Sequence, residues 1–179
     1  SLSMLGTGDG SAKTRQVAIL VADGIDSASL KPIREAVEAA GAQCKVVGPR
    51  LGSVTSASRR QVAVDATYVN MPSVMFDAVL VPAGAEGVQA LRQNGDAQHF
   101  VLEAFKHCKA LCLVGEAAQL LASAGVLAGG QAPTGVVLAD TPPVQTGDTE
   151  AAQAIAQAFL AAIGKHRHWE RAGVDSVPA

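Results

Sequence analysis

The chain has 179 residues, 49% of them hydrophobic and 17% charged, and a net charge of −2, which suits one soluble domain with a substantial core. Its longest basic run is Arg59-Arg60 and aromatics make up 3%, so the charge and the stacking platforms of a nucleic-acid binder are missing. No apolar stretch reaches the ~20 residues of a membrane-spanning helix, and the opening Ser-Leu-Ser-Met-Leu-Gly has neither the basic region nor the apolar run of a secretory leader, so no membrane partner is expected.

Residues 1–14 are rich in Gly and Ser and predict a flexible linker, with one domain over 15–179. The run Gly6-Thr-Gly-Asp-Gly precedes the first strand. A phosphate-binding loop must follow a strand and open a helix, so this run fails that test. Val17–Ala22 is unbroken apolar sequence, as in a strand buried on both faces of a parallel sheet. A helix follows, with Ser27 or Ser29 as N-cap and Pro32 in its first turn. Ile33, Ala36, Val37 and Ala40 share one face of it, and Gly41 ends it. Cys44–Val47 is the second strand. Over 51–69, Val54, Val62 and Val64 alternate with polar residues, which predicts a small antiparallel hairpin or edge excursion.

The strand–helix rhythm then resumes with a strand at Ala78–Val81, ended by Pro82-Ala83-Gly84. Helices are expected over Glu86–Gln93 and from Asp96 to His107, the second with Phe100, Val101, Ala104, Phe105 and Cys108 on one stripe. Ala110–Val114 is a further strand, Glu116–Ala124 a helix stopped by Gly125, and Val136–Leu138 the last strand of the sheet. Asp148 caps a helix through Ile163, with Ile155, Phe159, Ala162 and Ile163 inward and Gly164 closing it. Lys165–Ala179 reads as a polar tail. Strands separated by helices imply an α/β fold: a three-layer flavodoxin-like, Rossmann-like sandwich, mostly parallel with a small antiparallel excursion.

In open α/β sheets ligands sit outside the carboxyl ends of the strands. Those ends are Asp23-Gly24, Pro82-Ala83-Gly84 and Gly115-Glu116. The sharp turn from Val114 into the next helix has the shape of a nucleophile elbow, where Ser or Cys would stand. Its turning residue is Gly115, which has no side chain. Gly84 and the loop to Glu86 could offer oxyanion donors. Cys112 lies inside a strand, Cys108 ends a helix and Cys44 opens a strand. All three read as packing residues, and an odd number without metal spacing fits free thiols in a reducing cytoplasm. Glu116 at a helix start is explained by the helix dipole, and Asp23 and Asp26 as turn and cap residues. His99 and His107 stand eight apart, too far for one metal, while His166 and His168 straddle Arg167 in the tail. No catalytic, cofactor or metal residue is assigned.

The segment Val79-Leu-Val-Pro-Ala-Gly-Ala and the turn Gly115-Glu-Ala-Ala-Gln-Leu-Leu resemble the class I glutamine amidotransferase-like superfamily, closest to its ThiJ/PfpI branch. Matched residue by residue, that branch's cysteine falls on Gly115, its acid after the first strand on Gly24, and its histidine on Glu116. A narrower resemblance covers most of residues 15–179: Ala18-Ile-Leu-Val-Ala-Asp-Gly-Ile-Asp, Arg50-Leu-Gly-Ser-Val-Thr, Asn94-Gly-Asp-Ala, Glu103-Ala-Phe-Lys-His and the tail His166-Arg-His-Trp-Glu-Arg through Val177-Pro-Ala are similar to the C-terminal domain of large-subunit monofunctional haem catalases. That resemblance implies a domain without its own catalytic site, joined to a core that decomposes hydrogen peroxide. It implies roles in assembly and stability and in chaperone-like holding of unfolded clients, with the catalase core and neighbouring subunits as partners. Haem is expected only in the core, because the one tyrosine, Tyr68, has no Arg at helical spacing. Two other readings stand beside it: a ThiJ/PfpI-type hydrolase or glyoxalase with Cys112 as a displaced nucleophile, and a sensor holding a small metabolite near Gly84 and Glu116.

Overall fold

The computed structural model describes residues 12–127, 132–140, 149–165, 167–171 and 174–177. Six strands make one parallel sheet: β1 (Gln16–Leu20), β2 (Gln43–Gly48), β5 (Ala66–Thr67), β6 (Ala78–Val81), β7 (Ala110–Val114) and β8 (Val136–Ala139). Their order is β5-β2-β1-β6-β7-β8, and every neighbouring pair is parallel. The expected excursion is a separate antiparallel pair, β3 (Gly52–Thr55) with β4 (Gln61–Val64), in which Val54 faces Val62.

Side chains alternate across the sheet with the period of two that a strand imposes. Val17, Ile19, Leu80 and Cys112 join the core under α1 (Ser27–Ala39) and α5 (Thr149–Gly164), together with Val54 and Val64 of the hairpin. Ala18, Leu20, Val79, Val81, Leu111 and Leu113 join the core under α2 (Ala85–Gln93), α3 (Gly95–Lys106) and α4 (Gln119–Ala122). Strand order runs one way from β1 to β2 and the other way from β1 to β6. Right-handed crossovers therefore place α1 on one face and α2, α3 and α4 on the other. The result is the expected three-layer flavodoxin-like sandwich.

Several local expectations shift. Asp26, rather than Ser27 or Ser29, caps α1: its carboxylate accepts from the Ala28 and Ser29 amides at 3.1 and 3.4 Å. Ser29 is buried and its hydroxyl donates to the Asp26 carbonyl, so it cannot cap. Cys108 lies beyond α3 at a φ of 58° rather than on its stripe. The turn after β7 winds first as a 3-10 helix (Gly115–Ala118) before α4 begins. At the start of the domain, Ala12 is buried and the Thr14 amide donates to the Gly41 carbonyl at 3.0 Å, so the last residues of the expected linker belong to the folded unit. The linker's residues 1–11, the Asp148 cap, His166 and the closing Pro178-Ala179 lie outside the described residues.

The polar tail packs into the fold: its His168 and Arg171 are 2% and 4% exposed. The His168 amide donates to the Cys108 carbonyl at 2.8 Å and its ring Nε2 to the Ala162 carbonyl at 2.8 Å. The Arg171 guanidinium donates to three carbonyls, those of Thr134, Phe105 and Lys109, and stands 4.8 Å above the Phe105 ring. Buried charge persists where hydrogen bonds replace water, and a planar guanidinium suits three diverging acceptors. The tail thus straps the amino-terminal end of the sheet, where β7 and β8 begin.

Candidate functional site

The strand order reverses at β1, so the candidate crevice lies between the carboxyl ends of β1, β6 and β7. The elbow is present in backbone form. Gly115 has a φ of 56°, the left-handed conformation that bulky residues adopt only under strain. Beyond the backbone, the residues around it tie the walls of the crevice to one another.

Loop 23–26 lies directly on the turn after β6. The Asp26 amide donates to the Ala83 carbonyl at 2.8 Å. A Cβ on Gly84 would come within 2.7 Å of the Asp26 nitrogen and of the Gly24 carbonyl oxygen, so only glycine permits this approach. From the other side the hairpin clamps the same loop, with Gly24 N to Thr55 O and Ala57 N to Ile25 O both at 2.8 Å. Asp23 completes the clamp. Both its oxygens accept from Arg50, at 3.0 and 3.1 Å, and one also accepts from the Thr55 amide at 2.8 Å. The Arg50 hydrogen bonds, then that of Thr55, hold the Asp23 carboxyl below the usual carboxylate range.

Glu116 reaches across the same gap. Its Oε2 accepts from the Gly84 amide at 3.2 Å. Gly84 is the backbone donor that could have faced an oxyanion, and here the chain's own carboxylate takes it. Glu116 therefore bridges the β7 elbow to the start of α2, beyond the helix-dipole role read from the sequence. A Cβ at Gly24, where the resemblance places an acid, would fall 2.6 Å from the Glu86 Cβ and 2.9 Å from the Gly87 nitrogen.

The thiols stand elsewhere. Cys112 is fully buried in the core under α1 and α5, where burial pushes its pKa up to about 12. The Cys44 thiol is pushed up to about 11, chiefly by burial and then by the Glu38 charge. Cys108 is buried at the opposite end of the sheet from the crevice, beside the tail strap. Reactive cysteines need a stabilised thiolate within reach of solvent, which neither Cys112 nor Cys44 has.

His99 on α3 and His107, its C-cap, line a cavity of about 320 Å³ with Tyr68, Phe100, Asp96 and Glu103. His107 bonds to Glu103 at 3.1 Å. Among the described residues no three acids, histidines or cysteines are grouped as a metal site needs. Tyr68 is buried with its hydroxyl donating to the Val21 carbonyl, and burial, then the Asp23 charge, raises its pKa. Its oxygen is thus committed to the backbone. Sequence reasoning missed Lys109, a buried lysine whose Nζ donates to the Ser73 carbonyl at 2.5 Å. Nothing at the level of residue type marked it, because the carbonyl it serves is 36 residues away.

The family model of the C-terminal domain found in long catalases matches residues 13–173. Catalase HPII of Pseudomonas putida is 38% identical over 168 residues, which make up 93% of this chain and 21% of that protein. Catalase-2 of Bacillus subtilis is 34% identical over 161 residues, 89% of this chain and 21% of that one. The chain thus spans about a fifth of the length of these two relatives. Among solved structures, a ThiJ/PfpI domain protein from Brachyspira murdochii superposes with a TM-score of 0.71 at 16% identity, covering 86% of this chain and 98% of its own. A two-domain protein from Anabaena variabilis with DJ-1/ThiJ/PfpI-like and ferritin-like domains gives 0.70 at 20% identity, covering 84% of this chain and 50% of that one. At such identities these two show likeness of fold alone.

Proposed function

Since the chain belongs to the family of C-terminal domains of long catalases, we propose that it is a non-catalytic assembly and stability domain of a hydrogen-peroxide-decomposing parent enzyme. The observation that carries this reading is the way the crevice walls are tied to one another. The elbow residue is Gly115, the Gly84 amide is held by Glu116, and the β1 loop packs against the turn after β6. A hydrolase needs a nucleophile, a base and free oxyanion donors in one place, and these residues leave none there. Burial of Cys112 speaks against a displaced nucleophile. Filling of the gap by Glu116 speaks against a small anion held at Gly84.

On this reading haem and peroxide chemistry belong to the core of the parent chain, in the cytoplasm, and this domain adds contact surface to the core and to neighbouring subunits. Holding of partly unfolded clients is a further role within the same reading. Its physical basis would be the exposed apolar side chains Leu51, Val69, Val74, Met75 and Trp169.

The test is a matched pair: the full reading frame that carries this segment, and the same chain ending before residue 13. The shortened enzyme should keep turning over peroxide while losing activity faster on heating. Loss of haem-dependent turnover per folded active site, or unchanged heat inactivation, would overturn the assembly reading. The 179-residue chain at equal stoichiometry with a heat-labile client tests the holding role, which unchanged client aggregation would remove.

A further inference from the structure

The cavity beside α3 shares no lining residue with the strand-end crevice. It lies between that helix and the chain that leads from β5 to the 3-10 turn Ser73–Met75. Its volume of about 320 Å³ falls at the small end of the range of ligand sites. Its inner side is aromatic: Phe100 is 2% and Tyr68 6% exposed. The Tyr68 hydroxyl is bonded to the Val21 carbonyl, so only the ring is left for a ligand. One wall is a row of Asp96, His99, Glu103 and His107, which follow one another at helical spacings of three and four. The chain opposite is held by its own bonds, from the Thr67 amide to the Asn70 side-chain oxygen at 2.7 Å and from the Met71 amide to the Thr67 carbonyl at 3.2 Å.

One polar group in this cavity has nothing to bond. Ser73 is 5% exposed, yet among the described residues its hydroxyl makes no hydrogen bond. Among those residues the one unpartnered side-chain atom fully sealed from solvent is His168 Nδ1. The Ser73 oxygen is therefore open to the cavity that its residue lines. A buried hydroxyl without a partner is costly, and a ligand donor at this point would satisfy it.

Charge selects the class of ligand. Two acids, Asp96 and Glu103, line the cavity, and no Lys or Arg among the described residues does. Lys109 stands behind Ser73, 2% exposed, with its Nζ already on the Ser73 carbonyl. Glu103 is bonded to His107, while Asp96 has no ion-pair partner among the described residues. An anion would meet these carboxylates, whereas an ammonium group gains charge-assisted contacts and the rings gain from covering an apolar body.

We propose that this cavity binds a small primary amine carried on an aromatic or apolar body. Tyr68 and Phe100 take the apolar part, the Ser73 hydroxyl accepts from the ammonium, and Asp96 and Glu103 balance its charge. The site is separate from the crevice and does not depend on the assembly role.

Backbone amide NMR shifts test it, with phenethylamine as the probe and phenylacetate as its anionic counterpart near neutral pH. Phenethylamine should shift amides of residues 67–74 and 96–107 saturably, with a Kd of about 1 mM for a probe of this size. Phenylacetate should bind at least about tenfold more weakly, a difference that Asp96→Asn with Glu103→Gln should erase. Ser73→Ala should weaken the amine about fivefold while leaving Tm within about 1 °C, because the lost hydroxyl had no partner in the fold. No saturable shift in these segments, equal binding of the two probes, or unchanged amine affinity in both variants overturns the site. Binding by the 179-residue chain that disappears in the full reading frame overturns it too, since the cavity would then be covered in the parent protein.

Discussion

Replacing Arg171 by alanine should destabilise the domain far more than its place in a polar tail suggests. The guanidinium donates to the carbonyls of Thr134, Phe105 and Lys109 and covers the Phe105 ring at 4.8 Å. Truncation removes this donor from the Thr134 and Lys109 carbonyls, the Phe105 carbonyl keeping the Cys108 amide at 3.0 Å, in a site where Arg171 itself is almost fully enclosed. An acceptor stranded in this way costs about 1–3 kcal/mol. The lost ring contact adds about 0.5–2 kcal/mol. Water entering the vacated space recovers part of this, so the expected net loss is about 3–5 kcal/mol, within the range seen when one partner of a buried charged group is removed. For a chain of this size that corresponds to a fall in Tm of roughly 6–20 °C. Thermal and urea unfolding followed by far-ultraviolet circular dichroism measure it. Arg171→Lys should recover less than half, because an ammonium cannot reach three diverging carbonyls at once. A loss below about 1 kcal/mol for Arg171→Ala would show that the strap is dispensable and refute the argument.

Two further outcomes follow from the crevice and from Lys109. Gly24→Glu, which restores an acid where the resemblance places one, should cost more than about 2 kcal/mol, because the backbone has a φ of 96° and a Cβ would sit 2.6 Å from that of Glu86; urea unfolding at wild-type-like stability would mean the crevice can open. The Lys109 amine is lowered from its ordinary 10.5 to about 8, first by burial and then by the Arg167 charge. The unfolded chain then binds this proton more tightly than the folded one, so Lys109 contributes a rise in stability between about pH 8 and 10.5, opposed above about pH 9 by the raised Cys44 and Cys112 thiols. Lys109→Met should flatten that rise in chemical unfolding measured across the window, and a rise equal to that of the parent chain would exclude Lys109 as its source.

The sequence was sufficient for five of the six strands of the sheet because their signals are local, while the two-residue β5 (Ala66–Thr67) fell inside the stretch 51–69 read as the antiparallel excursion. Unbroken apolar runs at Val17–Ala22, Ala78–Val81 and Ala110–Val114 give strands buried on both faces, and β6 and β7 match those bounds residue for residue. The alternation of Val54, Val62 and Val64 likewise gave the hairpin. Boundaries drifted where caps compete, as at Asp26 against Ser27 and Ser29, since any of these side chains can serve a helix amino terminus and the backbone angle decides among them.

By residue type alone the sequence also determined that Gly115 offers no nucleophile, because glycine lacks a side chain in any fold. Whether the crevice around it was open or shut, and where the tail lay, were decided by the tertiary structure. Glu116 meets Gly84 across 32 residues, and Arg171 meets Phe105 across 66. Hydrogen bonds of that reach leave no periodicity in the chain. They form because the parallel sheet brings the ends of distant strands within one side chain of each other.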